Sequence, residues 1–221
     1  MSKRISKQPM FWVATAMLIV NVILGIVFET HPLKVFPICV SCFVMLLQSR
    51  VSRYAFLVGG INSLFYTFAY VIMQLYVGAA NALFISFPMQ IITFINWNKN
   101  TQNGETKVKK LKAKEKIILL GLVGVIWSIA FLLFAGLKSP YIFFDNTSVV
   151  LSFVAMFLCM FRYSEFALLN VMSSLIGFVL YIIVTCDDVS NIVWVIYMAY
   201  VLVCQTMTFV KINRQIRRAQ T

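Results

Sequence analysis

Apolar residues run along this chain in eight blocks, separated by short clusters of charged, proline and small polar residues. A helix needs roughly 20 apolar residues to cross the hydrocarbon of a bilayer, and most of the blocks approach that length. The pattern predicts helices over Phe11–Phe28, Leu33–Gln48, Tyr54–Tyr76, Ala79–Trp97, Ile117–Leu137, Asn146–Phe161, Phe166–Cys186 and Ile192–Lys211. Leu33–Gln48 and Asn146–Phe161 are short for a span and suit a tilted or sheltered position. The expected fold class is an all-α membrane protein with eight transmembrane helices.

Composition supports this reading. Of 221 residues, 61% are hydrophobic and 12% charged, more apolar surface than one soluble core hides. A net charge of +12 would suggest nucleic acid for a soluble protein; in a bilayer it asks which side carries the charge. With the N-terminus inside, seventeen of the 19 Lys and Arg residues fall on cytoplasmic segments. Only Lys34 and Lys138 fall outside. Both termini are therefore expected in the cytoplasm, in the plasma (inner) membrane of a bacterium, and nucleic acid is not an expected partner. Lys3, Arg4 and Lys7 ahead of an apolar core would also open a signal peptide. No small-x-small cleavage site follows, and Phe28-Glu29-Thr30-His31-Pro32 is a poor one, so the first helix is read as retained. The polar stretch Asn98–Lys116 is the convincing linker. Its seven lysines read as topology-fixing, with binding of anionic headgroups the alternative.

Catalytic and metal chemistry find little support. The cysteines Cys39, Cys42, Cys159, Cys186 and Cys204 lie mostly in apolar runs and read as packing residues. His31, the one histidine, precedes a proline. Of the seven carboxylates, Glu29, Asp145, Asp187 and Asp188 fall on predicted outer loops, and Glu105, Glu115 and Glu165 on inner ones. None is placed mid-helix, where an ionisable group would mark a proton or sodium relay. An enzyme, a pump and a carboxylate-coupled symporter are disfavoured, and no cofactor or metal is expected.

A weak internal repeat organises the blocks. Ile61-Asn62-Ser63-Leu64 matches Met172-Ser173-Ser174-Leu175 at an offset of 111, which also pairs Tyr70 with Tyr181. Helices two to four and six to eight then form two parallel triplets, joined by the fifth helix and preceded by an extra first one. The predicted units are an N-terminal helix in 1–30, a first bundle over 33–98, a basic loop and linker helix over 99–140, a second bundle over 141–213 and a basic tail over 214–221. In transporters built from parallel repeats, substrate sites lie near the midplane between the repeats.

Uncharged polar and aromatic residues recur on helical faces of both triplets. Asn62, Tyr66 and Tyr70 lie at i, i+4, i+8; Ser86, Gln90 and Trp97 at i, i+4, i+11, with Pro88 loosening the ladder between them. Asn170, Ser173, Ser174, Gly177 and Tyr181 share a face of the seventh helix, and Trp194, Tyr197, Val201 and Gln205 one of the eighth. An unpaired amide in hydrocarbon costs several kcal/mol, so Asn62, Asn81, Gln90, Asn170 and Gln205 must face partners or a solvated path. Interhelical hydrogen bonds are the alternative use of such residues, and Trp97 and Trp194 also suit interfacial anchoring. Amides and aromatics without charge suit a flat, partly polar solute, including a cationic ring.

These residues resemble a known family. Gly60-Ile61-Asn62-Ser63-Leu64-Phe65-Tyr66, Pro88-Met89-Gln90-Ile91-Ile92 and Trp97-Asn98-Lys99-Asn100 look like the nicotinamide riboside transporters of PnuC type, with Asp145, Arg162-Tyr163-x-Glu165 and Leu180-Tyr181 in the second half. The resemblance implies a three-plus-one-plus-three fold similar to the SWEET sugar transporters. It implies facilitated diffusion of an unphosphorylated vitamin or nucleoside, most directly nicotinamide riboside, trapped by a cytosolic kinase, and a homo-oligomer, a trimer by analogy. By motif, Gln90 is the leading binding candidate, with Asn62, Tyr66 and Asn81 lining the same triplet; Trp97, Asn170, Ser174, Tyr181, Trp194 and Tyr197 complete the candidate set. The family's tryptophan-rich stretch is replaced here by Phe166-Ala167-Leu168-Leu169-Asn170-Val171-Met172-Ser173-Ser174. That departure leaves thiamine, riboflavin and deoxynucleosides as alternative solutes. A substrate-binding membrane subunit or sensor is the alternative of another class.

Overall fold

Helix caps and prolines divide the chain much as the apolar pattern does. The computed structural model describes residues 9–27, 31–72, 81–102, 105–106, 108–135, 141–187 and 192–220. Among them are eight helices: α1 Pro9–Val27, α2 Pro32–Ser49, α3 Tyr54–Ile72, α4 a π-helical turn Asn81–Ser86 continuing as Phe87–Lys99, α5 Ala113–Ala135, α6 Ile142–Met160, α7 Phe166–Asp187 and α8 Ile192–Gln220. Among the described residues, four segments are long and apolar enough to cross a membrane: Ala113–Leu132, Ile142–Met160, Phe166–Cys186 and Ile192–Arg217. Phe11–Val27, Val35–Ser49 and Tyr54–Ala69 are apolar but shorter.

Local chemistry explains where helices begin. Pro32 occupies the first turn of α2, and His31 Nδ1 accepts the Leu33 N–H at 3.2 Å. Pro88 lacks an N–H, and its ring crowds the carbonyl four residues back; the helix before it widens into the π-helical turn. Helix α5 starts at Ala113 rather than Ile117 because Glu115 reaches back to accept the Lys112 N–H at 2.7 Å. Helix α6 begins four residues before the expected Asn146 and is 19 residues long, so it is not a short span. Its first turn includes Asp145, expected on a loop. Helix α8 continues through most of the predicted basic tail.

Helices α2 and α6 end in the same way. In each, a residue of positive φ follows the C-cap: Val51 at 55° and Arg162 at 64°. Val51 N–H bonds Gln48 O (2.7 Å) and Ser52 N–H bonds Leu47 O (3.0 Å). Arg162 N–H bonds Cys159 O and Tyr163 N–H bonds Leu158 O, both at 2.9 Å. Both are Schellman caps, closed without the usual glycine, and their equivalent residues stand 111 positions apart.

Six helices close a ring by pairwise packing: α2 on α3, α3 on α4, α4 on α6, α6 on α7, α7 on α8, and α8 back on α2. Helix α1 packs outside the ring against α2 and α8, and α5 packs outside against α6. One apolar core joins α1, α2 and α8 through Ala14, Ile38, Cys42, Leu46, Tyr200 and Cys204; another gathers Phe56, Trp97, Val154, Leu158, Phe166 and Ile212 from α3, α4, α6, α7 and α8. The polar linker is not a free loop. Thr101–Gln102 pairs with Glu105–Thr106 as a two-stranded hairpin, and Lys109 bonds the backbone of Arg162 and Ser164, both at 2.8 Å. Glu165 accepts the Leu111 N–H and pairs with the Lys116 ammonium at 3.2 Å.

Candidate functional site

Inside the ring lies a cavity of about 360 Å³, within the range of small-molecule sites. Its wall draws residues from α2, α3, α4, α6, α7 and α8. No Asp, Glu, Lys, Arg or His is among the described residues that line it.

The same offset of 111 relates the polar groups on the two sides. On one side Asn62 of α3 donates through Nδ2 to Pro37 O (3.0 Å) and Ser41 Oγ (2.8 Å) on α2. On the other, Ser173 of α7 donates to Ser148 O (2.9 Å) and pairs with Ser152 Oγ (2.7 Å) on α6. Ser63 donates to Gly59 O at 3.1 Å, and Ser174 to Asn170 O at 2.7 Å. At the end of the ring nearer Lys211, the indole N–H of Trp97 donates to Cys159 O at 2.8 Å, and the hydroxyl of Thr208 to Gln48 O at 3.1 Å. These last bonds tie α4 to α6 and α8 to α2, where the triplets meet.

The correspondence fails at the amides. Gln90 donates through Nε2 to Ser63 Oγ at 2.9 Å, and its carbonyl lies against Gly59, where a Cβ would stand 2.1 Å from Oε1. At the equivalent positions stand Val201 and Asn170. The fourth helix of the first half supplies its amide, whereas the seventh helix supplies that of the second. Both amides line the cavity, and among the described residues that of Asn170 has no hydrogen-bond partner.

The remaining sequence candidates divide into three groups. Asn62, Tyr66, Ser174 and Tyr197 line the cavity with Gln90 and Asn170. The Tyr66 hydroxyl shares a 3.0 Å hydrogen bond with Ser41. Trp97 touches the cavity wall but is 0% exposed, wedged edge-on between Phe56 and Phe166 with its N–H occupied. In this conformation it joins the halves and offers no open ring. Tyr181 and Trp194 are not among the lining residues; they stack on each other at 5.5 Å and 11°, with Trp194 against Tyr197. Asn81 opens the π-helical turn, but its side chain, like that of Tyr70, lies outside the described residues.

Sequence reasoning missed the wall formed by α2 and α6. Ser41, Gln48, Ser148 and Ser152 all line the cavity. The offset that pairs Ser63 with Ser174 also pairs Ser41 with Ser152, a signal available in the sequence. Gln205, expected to need a partner, donates to Gln48 Oε1 at 2.9 Å across the α2–α8 junction.

A family model described as "Nicotinamide mononucleotide transporter" matches residues 31–210. The chain is also similar to a solved structure, "Crystal structure of the Vitamin B3 transporter PnuC", at 17% identity and a TM-score of 0.74, covering 93% of this chain and 90% of that one. At that identity the likeness shows the fold. No curated protein matches the sequence.

Proposed function

The chain belongs to the nicotinamide mononucleotide transporter family, and on that footing we propose that this multi-pass membrane protein is a facilitator for nicotinamide riboside, the unphosphorylated form of such a solute. The neutrality of the cavity carries the reading. A mononucleotide brings a phosphate of nearly two negative charges, and burying it without a cation or a metal costs several kcal/mol at least. The described lining residues include no such cation. A riboside instead presents hydroxyls and a carboxamide, which Gln90, Asn170, Asn62 and the ring of serines can bond. Its cationic ring suits the tyrosines Tyr66 and Tyr197. That no carboxylate is among the described lining residues favours uniport over proton coupling. Phosphorylation by a cytosolic kinase would then trap the solute.

We assign the basic end of the ring, with Lys211, Arg214 and the lysine loop, to the cytoplasm by the positive-inside bias. The repeat is read as three helices, a linker and three helices after an extra α1. The matching contacts of α1 with α2 and α5 with α6 also support two parallel units of four.

The test is a thermal-shift panel on the purified full chain with nicotinamide riboside, its 5′-phosphate, thiamine, riboflavin and deoxynucleosides, since a ligand of the folded state raises its stability. Stabilisation by the riboside and none by the 5′-phosphate is expected. A larger shift by the 5′-phosphate would overturn the reading; a shift by thiamine alone would keep the facilitator and replace its solute.

A further inference from the structure

A second cavity, of about 510 Å³, lies between the end of α2 and the last turns of α8. It is separate from the central cavity and shares none of its lining residues. Along α8 its wall changes character. Met207 and Val210, each about 41% exposed, come first, and Lys211 and Arg214 follow within a turn. Ser49 completes it on α2, and no carboxylate is among the described residues that line it.

Gln215 also lines this cavity, its Oε1 buried and without a partner among the described residues. Next to Ser49, the Arg50 guanidinium has Nε and Nη2 buried without a partner among the described residues, and the Lys211 ammonium donates to the Arg50 carbonyl. Two cationic side chains, Lys211 and Arg214, stand at one end of a groove whose other end is apolar. A small anion would use only the cationic end. An amphiphile uses both, and the order along α8, apolar and then cationic toward the basic end, is the order of an acyl chain and its headgroup in a leaflet. We propose that this groove binds an anionic glycerophospholipid, its phosphate on Lys211 and Arg214 and an acyl chain along Met207 and Val210. Because the groove spans α2 and α8, the lipid would brace the junction that Thr208 and Gln205 already hold.

The experiment measures the thermal stability of the full chain in a neutral detergent during titration with phosphatidylglycerol, phosphatidylcholine or inorganic phosphate. Phosphatidylglycerol is expected to raise the Tm and the other two to leave it unmoved. Arg214→Gln should weaken the phosphatidylglycerol effect about tenfold in midpoint concentration, the loss of one charge-assisted contact, and Lys211→Met should weaken it too. The paired control Lys110→Gln/Lys112→Gln, in the lysine loop, should leave it unchanged. Equal shifts from phosphatidylcholine or inorganic phosphate would overturn the proposal, as would an effect abolished by the loop control but kept by Arg214→Gln. Should Lys211→Met fail to fold, Arg214→Gln decides alone, because its exposed side chain bonds nothing among the described residues. The transport reading is not involved in either result.

Discussion

At the basic end of α2, the Gln48 carbonyl accepts a hydrogen bond from Thr208; at the same end of α6, the Cys159 carbonyl accepts one from Trp97. The two halves share their caps, their cross-links from Asn62 and Ser173 to the preceding helix and these closing bonds, all at one offset. They differ in the side chains that use the scaffold. The first half closes its junction with a large buried ring and places its amide on α4, against a glycine. The second closes with a small hydroxyl and places its amide on α7. An inherited frame with unequal contents suits a solute that is itself unsymmetrical, with a ring at one end and a sugar at the other.

The junctions offer the largest contrast. Trp97→Ala leaves a void and removes the indole bond to the Cys159 carbonyl, which keeps only its cap bond from Arg162, and is expected to cost about 3–5 kcal/mol. Thr208→Val, at the equivalent place, removes a hydroxyl that also bonds Cys204 O, and about 1 kcal/mol is expected. Unfolding in detergent measures both; equal losses would break the proposed asymmetry.

The amides come next. Gly59→Ala puts a methyl where the Gln90 carbonyl lies; overpacking is expected to cost about 1–3 kcal/mol, together with ligand binding as Gln90 is displaced. Asn170→Ala clears a partnerless amide and should weaken riboside binding about tenfold with little change in stability. A Gly59→Ala protein that binds as tightly as the parent would mean that the placement of Gln90 is unimportant.

The cross-links should differ less. Asn62→Ala removes a larger buried side chain and two hydrogen bonds and is expected to cost about 2 kcal/mol, against about 1 for Ser173→Ala, which removes a single hydroxyl. The caps should differ least, and with the opposite sign. A β-branched valine at positive φ is more strained than an arginine there. Val51→Gly is expected to gain about 1 kcal/mol and Arg162→Gly less; a loss at Val51 would show that the cap is unstrained.

Much of this was legible in the chain. Eight apolar blocks, with the basic residues gathered between and beyond them, outline the helices, because lipid demands long uncharged segments whatever the packing. The start of α6 was not legible, since Asp145 and Asn146 interrupt the apolar run while lying in its first turns. Trp97 was ambiguous for a related reason: an aromatic ring at a helix end reads as an interfacial anchor until the partner helix is known. Serines of α2 and α6 were overlooked because a lone hydroxyl in an apolar helix usually bonds its own backbone. Nothing local distinguishes Gly59 from Gly60; only the packed Gln90 carbonyl does.

The central claim is that the neutral cavity admits a riboside and refuses its phosphate. Proteoliposomes holding the full chain, without any ion gradient, test it most directly. Saturable equilibration of labelled nicotinamide riboside is expected, with no competition from the 5′-phosphate. Failure of the riboside to equilibrate, or equal competition by the 5′-phosphate, would contradict it.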